Sequence, residues 1–158
     1  MRITIAAVGR LKAGPEREIF ERHFGRARDA GRRLALTFDV REFPESRASD
    51  ATRRKEEEAR ELSEAAGDGV LIALDENGTT IDSREFAGRI GKWRDSGTAH
   101  LAFAIGGADG LAASLTGKAA LRLAFGRMTW PHQFVRLMLA EQLYRAVTIL
   151  SGHPYHRD

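Results

Sequence analysis

The chain has 158 residues, enough for one domain with its own core, and its apolar (42%) and charged (30%) fractions are those of a globular protein. It has no cysteine, which excludes disulfides, thiolate metal sites and a cysteine nucleophile, and no metal centre is expected. The net charge of +3 at pH 7 is modest, and no stretch approaches the roughly 20 apolar residues of a membrane span, so a cytoplasmic protein with no membrane partner is expected.

Ile3 to Val8 is apolar, rich in β-branched residues and closed by Gly9, which reads as a buried strand. Pro15 opens a helix to about Ala30, with Ile19, Phe20, His23, Phe24 and Ala27 at helical spacing and His23 read as core. Leu34 to Phe43 reads as a second strand. Ser49 or Asp50 caps a highly charged helix that Gly67 closes. Val70 to Leu74 has no polar interruption, as expected of a central parallel strand, and Asp75-Glu76-Asn77-Gly78 has the composition of a turn. Asp82 or Ser83 starts a third helix with Phe86, Ile90 and Trp93 inward. Leu101 to Ile105 is a fourth strand, a short helix falls between Leu111 and Ala119, and Leu121 to Phe125 is a fifth strand. The alternation predicts one α/β domain over residues 1–158, a mostly parallel sheet flanked by helices. In such sheets ligands bind beyond the carboxyl ends of the strands, here the loops after Leu74, Ile105 and Phe125.

The longest helical pattern comes last. Pro131 suits a first helical turn, with Thr129 or Trp130 at the cap. From Phe134 to Leu150 apolar residues cover more than one stripe, which one sheet face cannot bury, so a second subunit is expected against this helix. Beyond Gly117, Lys118, Arg122, Arg127, Arg136, Arg145 and Arg157 face only Glu141 and Asp158, which reads either as a phosphate-binding face or as a solvated surface. Arg10 and Lys12 sit in a loop where RNA phosphates are one possible partner, and Arg136 points to RNA or a partner subunit.

Two familiar nucleotide motifs are absent. Gly9 and Gly14 have phosphate-loop spacing, but Pro15 and Glu16 stand where lysine and serine or threonine belong. Gly106-Gly107-Ala108-Asp109-Gly110 has the wrong spacing for a dinucleotide fingerprint. Gly106 and Gly107 read as a tight exit turn needing positive φ, or as a wall without side chains where a flat ligand touches backbone.

The strand end Leu74-Asp75, the run AFAIGGADGL from Ala102 to Leu111, the segment MTWPHQFVRLMLAEQLYRA from Met128 to Ala146 and the ending HPYHR together resemble the RlmH (YbeA-like) family of SPOUT-class methyltransferases, over the whole chain. The resemblance implies a homodimer with a deep trefoil knot in the C-terminal part of its sheet. It implies transfer of a methyl group from S-adenosylmethionine to N3 of a pseudouridine in 23S rRNA, with the assembled ribosome as substrate. By motif, Leu74, Gly106 and the segment Phe125, Gly126, Arg127, Met128, Thr129 and Trp130 line the cofactor site. Phe125-Gly126-Arg127 departs from the family, where a serine beside a hydrophobic residue is usual, and Trp130 replaces a smaller apolar residue. The alternative is a non-catalytic, ribosome-associated RNA-binding protein on the same fold.

The acceptor imide nitrogen must lose its proton, and histidine is the side chain tuned nearest neutral pH. His156 is assigned as base, ahead of His153. Arg157 holds a phosphate or the developing uracil oxyanion, and Tyr155 stacks on the base or bonds to it. His132 is given a structural place in the first helical turn, and His100 no role.

Overall fold

The computed structural model describes residues 1–155; His156 and Arg157, assigned above to catalysis, lie outside the described residues. Five parallel strands form one sheet in the order β2-β1-β4-β3-β5. They are β1 (Arg2–Val8), β2 (Thr37–Phe43), β3 (Val70–Thr79), β4 (His100–Ile105) and β5 (Leu121–Leu123). The connecting helices are α1 (Pro15–Gly31), α2 (Ala51–Ala66), α3 (Ser83–Asp95), α4 (Ala113–Thr116) and α5 (His132–Leu150). Among the described residues no helix is long and apolar enough to cross a membrane.

The sheet is covered on both faces. Ile3, Ile5, Ile72, Leu101 and Phe103 pack beneath α1, α3 and α5. Ala6, Val8, Leu71, Ala102 and Ala104 pack beneath α2 and α4, where small residues let the helices approach. All six residues of β4 are buried, as a central strand of a doubly covered sheet requires. Asp50 caps α2 by accepting from Arg53 N–H, and Asp82 caps α3 by accepting from Glu85 N–H.

Four expectations need correction. The strand assigned from Leu34 starts at Thr37: Arg32–Leu34 is a 3-10 turn and Ala35 is left-handed, with φ 54°. The polar run Asp75-Glu76-Asn77-Gly78 is no turn but the outer half of β3. Tertiary pairing overrides its composition: Ala124 N–H donates to Thr79 O, and a Cβ on Gly78 would lie 2.6 Å from the Arg122 carbonyl carbon. Pro131 is the residue before α5 rather than its first, and its carbonyl accepts from the N–H groups of Phe134 and Val135. Finally, the many apolar sides of α5 find cover within the chain, from α1 on one side and α3 on the other. What remains outward is narrower: Phe134 is exposed, and Leu137 and Met138 are half-buried.

Arg136 is the largest correction to the side chains. It neither projects toward RNA nor toward a partner, being 0% exposed. Its guanidinium donates to Glu42 and to the carbonyl oxygens of Val8 (3.2 Å) and Gly9 (3.0 Å), pinning α5 to the ends of β1 and β2. Burial pushes its pKa down, against the pull of Glu42. Arg122 pairs with Asp75 and Arg145 with Glu141. Half of the apparent C-terminal basic face is therefore spent on internal pairs.

Candidate active site

The carboxyl ends of β3, β4 and β5 open into a cleft of about 820 Å3. Its floor is apolar because Leu74, midway along β3, and the strand-end residues Ile105 and Leu123 of β4 and β5, all buried, line it. One wall is the Gly106–Gly110 loop. A Cβ on Gly106 would lie 2.7 Å from the Gly110 carbonyl oxygen, so this position excludes every side chain. The turn is real, with Gly110 N–H donating to Gly107 O at 3.1 Å, but positive φ falls at Gly110 (80°) and not at Gly106 or Gly107. The opposite wall is the segment from Ala124 to Pro131. Gly126 there has φ 118°, a conformation closed to L side chains.

Of the residues the motifs singled out, Leu74, Gly106, Phe125, Gly126, Met128, Thr129 and Trp130 line this one cleft. Arg127 is the exception: it is exposed and stands outside the lining, between Gly126 and Met128. Met128 is 72% exposed and Trp130 42%, so both form the cleft's rim rather than its floor.

The polar groups around the rim are held by neighbours. Asp75 accepts from Arg122 Nε (3.0 Å) and Nη2 (2.8 Å) and from the Asn77 N–H. Glu76 accepts from the Thr129 hydroxyl at 2.6 Å, which fixes the outer half of β3 to the opposite wall. Arg54 holds Asp109, and its hydrogen bond keeps that carboxyl below its ordinary pKa. Sequence reasoning missed Asp75, Glu76 and Asp109 as site residues. Asp75 and Asp109 stand inside the quoted segments Leu74-Asp75 and AFAIGGADGL, and Glu76 had proximity to Leu74 as its signal. His132 also lines the cleft, beside Gly9: a Cβ on Gly9 would lie 3.4 Å from His132 Nε2.

Tyr155 is not in the cleft. Its hydroxyl donates to Glu141 Oε1 at 3.3 Å, its ring packs on Tyr144 at 4.6 Å, and the Arg145 guanidinium lies 5.2 Å from its centroid. Burial is the first cause that raises its pKa. His153 Nδ1 accepts from the Tyr155 N–H. His23 stands near Tyr144, half-buried, with burial lowering its pKa. His100 is buried at the far end of the sheet. Among the described residues no group of three or more histidines and carboxylates could hold a metal ion.

An open parallel α/β layer with a glycine-walled cleft at its carboxyl edge is the architecture in which such domains bind their ligands. The family follows from the sequence: the chain belongs to the SPOUT methyltransferases, since the model described as "Predicted SPOUT methyltransferase" matches residues 1–156. This agrees with the resemblance carried by AFAIGGADGL, MTWPHQFVRLMLAEQLYRA and HPYHR. The chain is similar to proteins named ribosomal RNA large subunit methyltransferase H. Those of Nitrobacter hamburgensis and Bradyrhizobium diazoefficiens are 57% and 55% identical over 159 residues, with 99% of this chain and 99% of each relative covered. A solved structure of a probable methylase family protein from Haemophilus influenzae matches in fold, with TM-score 0.51 and 14% identity over 99% of this chain and 70% of that one.

Proposed function

We propose that this single domain is an S-adenosylmethionine-dependent methyltransferase. Its target is N3 of a pseudouridine in 23S rRNA of the large ribosomal subunit, with the assembled ribosome, in the cytoplasm, as its substrate. The observation that carries the reading is the cleft, where seven of the eight residues singled out by motif converge between two glycine-bearing loops. The relatives named as large subunit methyltransferases support rRNA as the substrate class.

The residues fit the donor. Leu74, Phe125 and Met128 offer apolar surface to an adenine, and the absent side chain at Gly106 leaves backbone groups at its edge. Thr129 and Trp130 complete the rim, and Arg127 continues the same loop. S-adenosylmethionine supplies an activated methyl on a sulfonium. The chain's part is to align the acceptor for in-line displacement and to remove its N3 proton. His156 takes that proton, Arg157 steadies the uracil oxyanion, and Tyr155 stacks on the base.

The tail's position argues that it serves a second copy of the chain. Tyr155 packs on Tyr144, twelve residues along α5 from His132 at the cleft, about 18 Å of helix. Phe134 on the outward side of α5, exposed as Met128 and Trp130 are, offers apolar surface for a homodimer. A two-fold pair would bring each tail to its neighbour's cleft. The passage from β5 into α5 is read as threaded in a deep trefoil knot, a reading supported by family membership and by the placement of β5 beyond β3.

The test is transfer of radiolabelled methyl from S-adenosylmethionine to ribosomes from a strain lacking the activity. Wild-type protein labels 23S rRNA at one pseudouridine, and His156→Ala loses about 10²–10⁴-fold in turnover while keeping donor affinity. RNA binding without transfer would leave a non-catalytic factor, and unchanged turnover in His156→Ala would move the base elsewhere.

A further inference from the structure

Helix α2 turns one face toward two loops at once. Near its start, Arg54 donates from Nε (2.7 Å) and Nη2 (3.1 Å) to the two carboxylate oxygens of Asp109, on the glycine loop. Its Nη1 donates to the carbonyl oxygens of Ala48 (2.9 Å) and Ser49 (3.0 Å), in the loop between β2 and α2. Four of the five guanidinium N–H groups are thus committed. One turn further, Glu58 accepts from the Ser46 N–H at 3.0 Å with one oxygen. Its other oxygen, buried and without a partner among the described residues, would lie 3.2 Å from a Cβ on Gly107.

The glycine loop has little to hold it otherwise. Its internal bridge joins only Gly107 and Gly110. Asp109 lines the cleft, while Arg54 is not among the lining residues. An isolated surface ion pair contributes little, but a bidentate fork with two further carbonyl acceptors fixes both distance and plane. Lysine cannot reproduce it.

We infer that Arg54 is a positioning residue. Through Asp109 it holds the Gly106–Gly110 loop in the geometry that receives the methyl donor, and it ties that loop to the segment between β2 and α2. The inference rests on the reading that the cleft binds S-adenosylmethionine. Displacing the 44–49 segment therefore loosens the donor wall, and filling the donor wall steadies that segment.

The experiment is calorimetric titration of the full chain with S-adenosylmethionine, for wild type, Arg54→Lys, Asp109→Asn and the double variant, with melting temperatures alongside. Each single variant weakens donor binding by about 10-fold, and the double variant is no weaker than either single by more than about 2-fold, because one interaction is lost in all three. On ribosomes the variants raise KM for the donor while kcat holds. Unchanged affinity in both single variants, or additive weakening, overturns the inference. Asp109→Asn preserves shape at a partly exposed position, so it remains informative if Arg54→Lys fails to fold. A wild-type protein that does not bind the donor overturns the cleft reading itself, which separates the two failures.

Discussion

The two edges of the same sheet carry similar residues and do opposite things with them. At the amino edge, Thr4 donates to Asp39 Oδ1 at 2.7 Å and lies 2.8 Å from His100 Nε2. Arg2 Nη2 lies 3.2 Å and the Ala66 carbonyl oxygen 3.1 Å from His100 Nδ1, so the ring is held by Thr4 on one nitrogen and by Arg2 and Ala66 on the other. A Cβ on Gly69 would press on this ring at 2.7 Å. His100 is buried among these partners, and the polar groups there meet one another at the end of the core. At the carboxyl edge the ion pairs lie around a rim, and the space between them is left to glycines and apolar strand ends. Polar residues close a structure when they meet each other, and prepare a site when they are held apart by neighbours outside it.

The strongest way to break this contrast is to put a side chain into the open edge. Gly106→Ala places a methyl against the Gly110 carbonyl, and should cost about 100-fold in donor affinity, about 2.8 kcal/mol, with the fold retained. Titration with S-adenosylmethionine checks it, and near wild-type affinity would mean that the loop moves freely. Next in size is the joint between α5 and the open edge. Arg136→Leu takes the guanidinium from two carbonyls at the end of β1 and from Glu42, which keeps the Leu11 N–H, and should cost about 2 kcal/mol, or about 4–8 °C in Tm. Glu42 is one-third exposed, which keeps this below the cost of a fully buried pair.

The smallest effect belongs to the closed edge and is one of pH. Burial, and then Arg2, hold the His100 pKa below its ordinary value near 6.5, so the native state excludes the proton. Stability is complete above about pH 6.5 and falls as the pH drops below it, because the unfolded chain binds the proton first. Thermal melts at pH 7.5 and 5.5 should differ by about 2–4 °C, and His100→Gln should flatten that slope. His23 is lowered as well, so a residual slope in His100→Gln should vanish on adding His23→Gln. A slope untouched by both changes would place the proton-linked group elsewhere.

Much of this architecture was legible because burial on both faces of a parallel sheet leaves apolar runs that periodicity can read. Residues 3–8, 70–74 and 101–105 fell within their strands for that reason. The outer half of β3 was not legible, since Asp75 to Gly78 are turn formers locally and only pairing with β5 makes them a strand. The burial of Arg136 was hidden because charge ordinarily marks a surface, and its partners lie more than 90 residues away. Seven of the motif residues share one cleft, with Arg127 outside its lining. The clamp that holds them was invisible: Asp109 lies within AFAIGGADGL, but Arg54 is 55 residues away and belongs to no pattern.

The strand order leaves β2 and β5 with an unpaired side each. β5 is three residues long, too short to template another chain, and β2 carries Asp39, Arg41 and Glu42 along its length. Both borders thus discourage edge-to-edge stacking between molecules. The protein should stay dispersed at the high concentrations that calorimetry and crystal soaking demand.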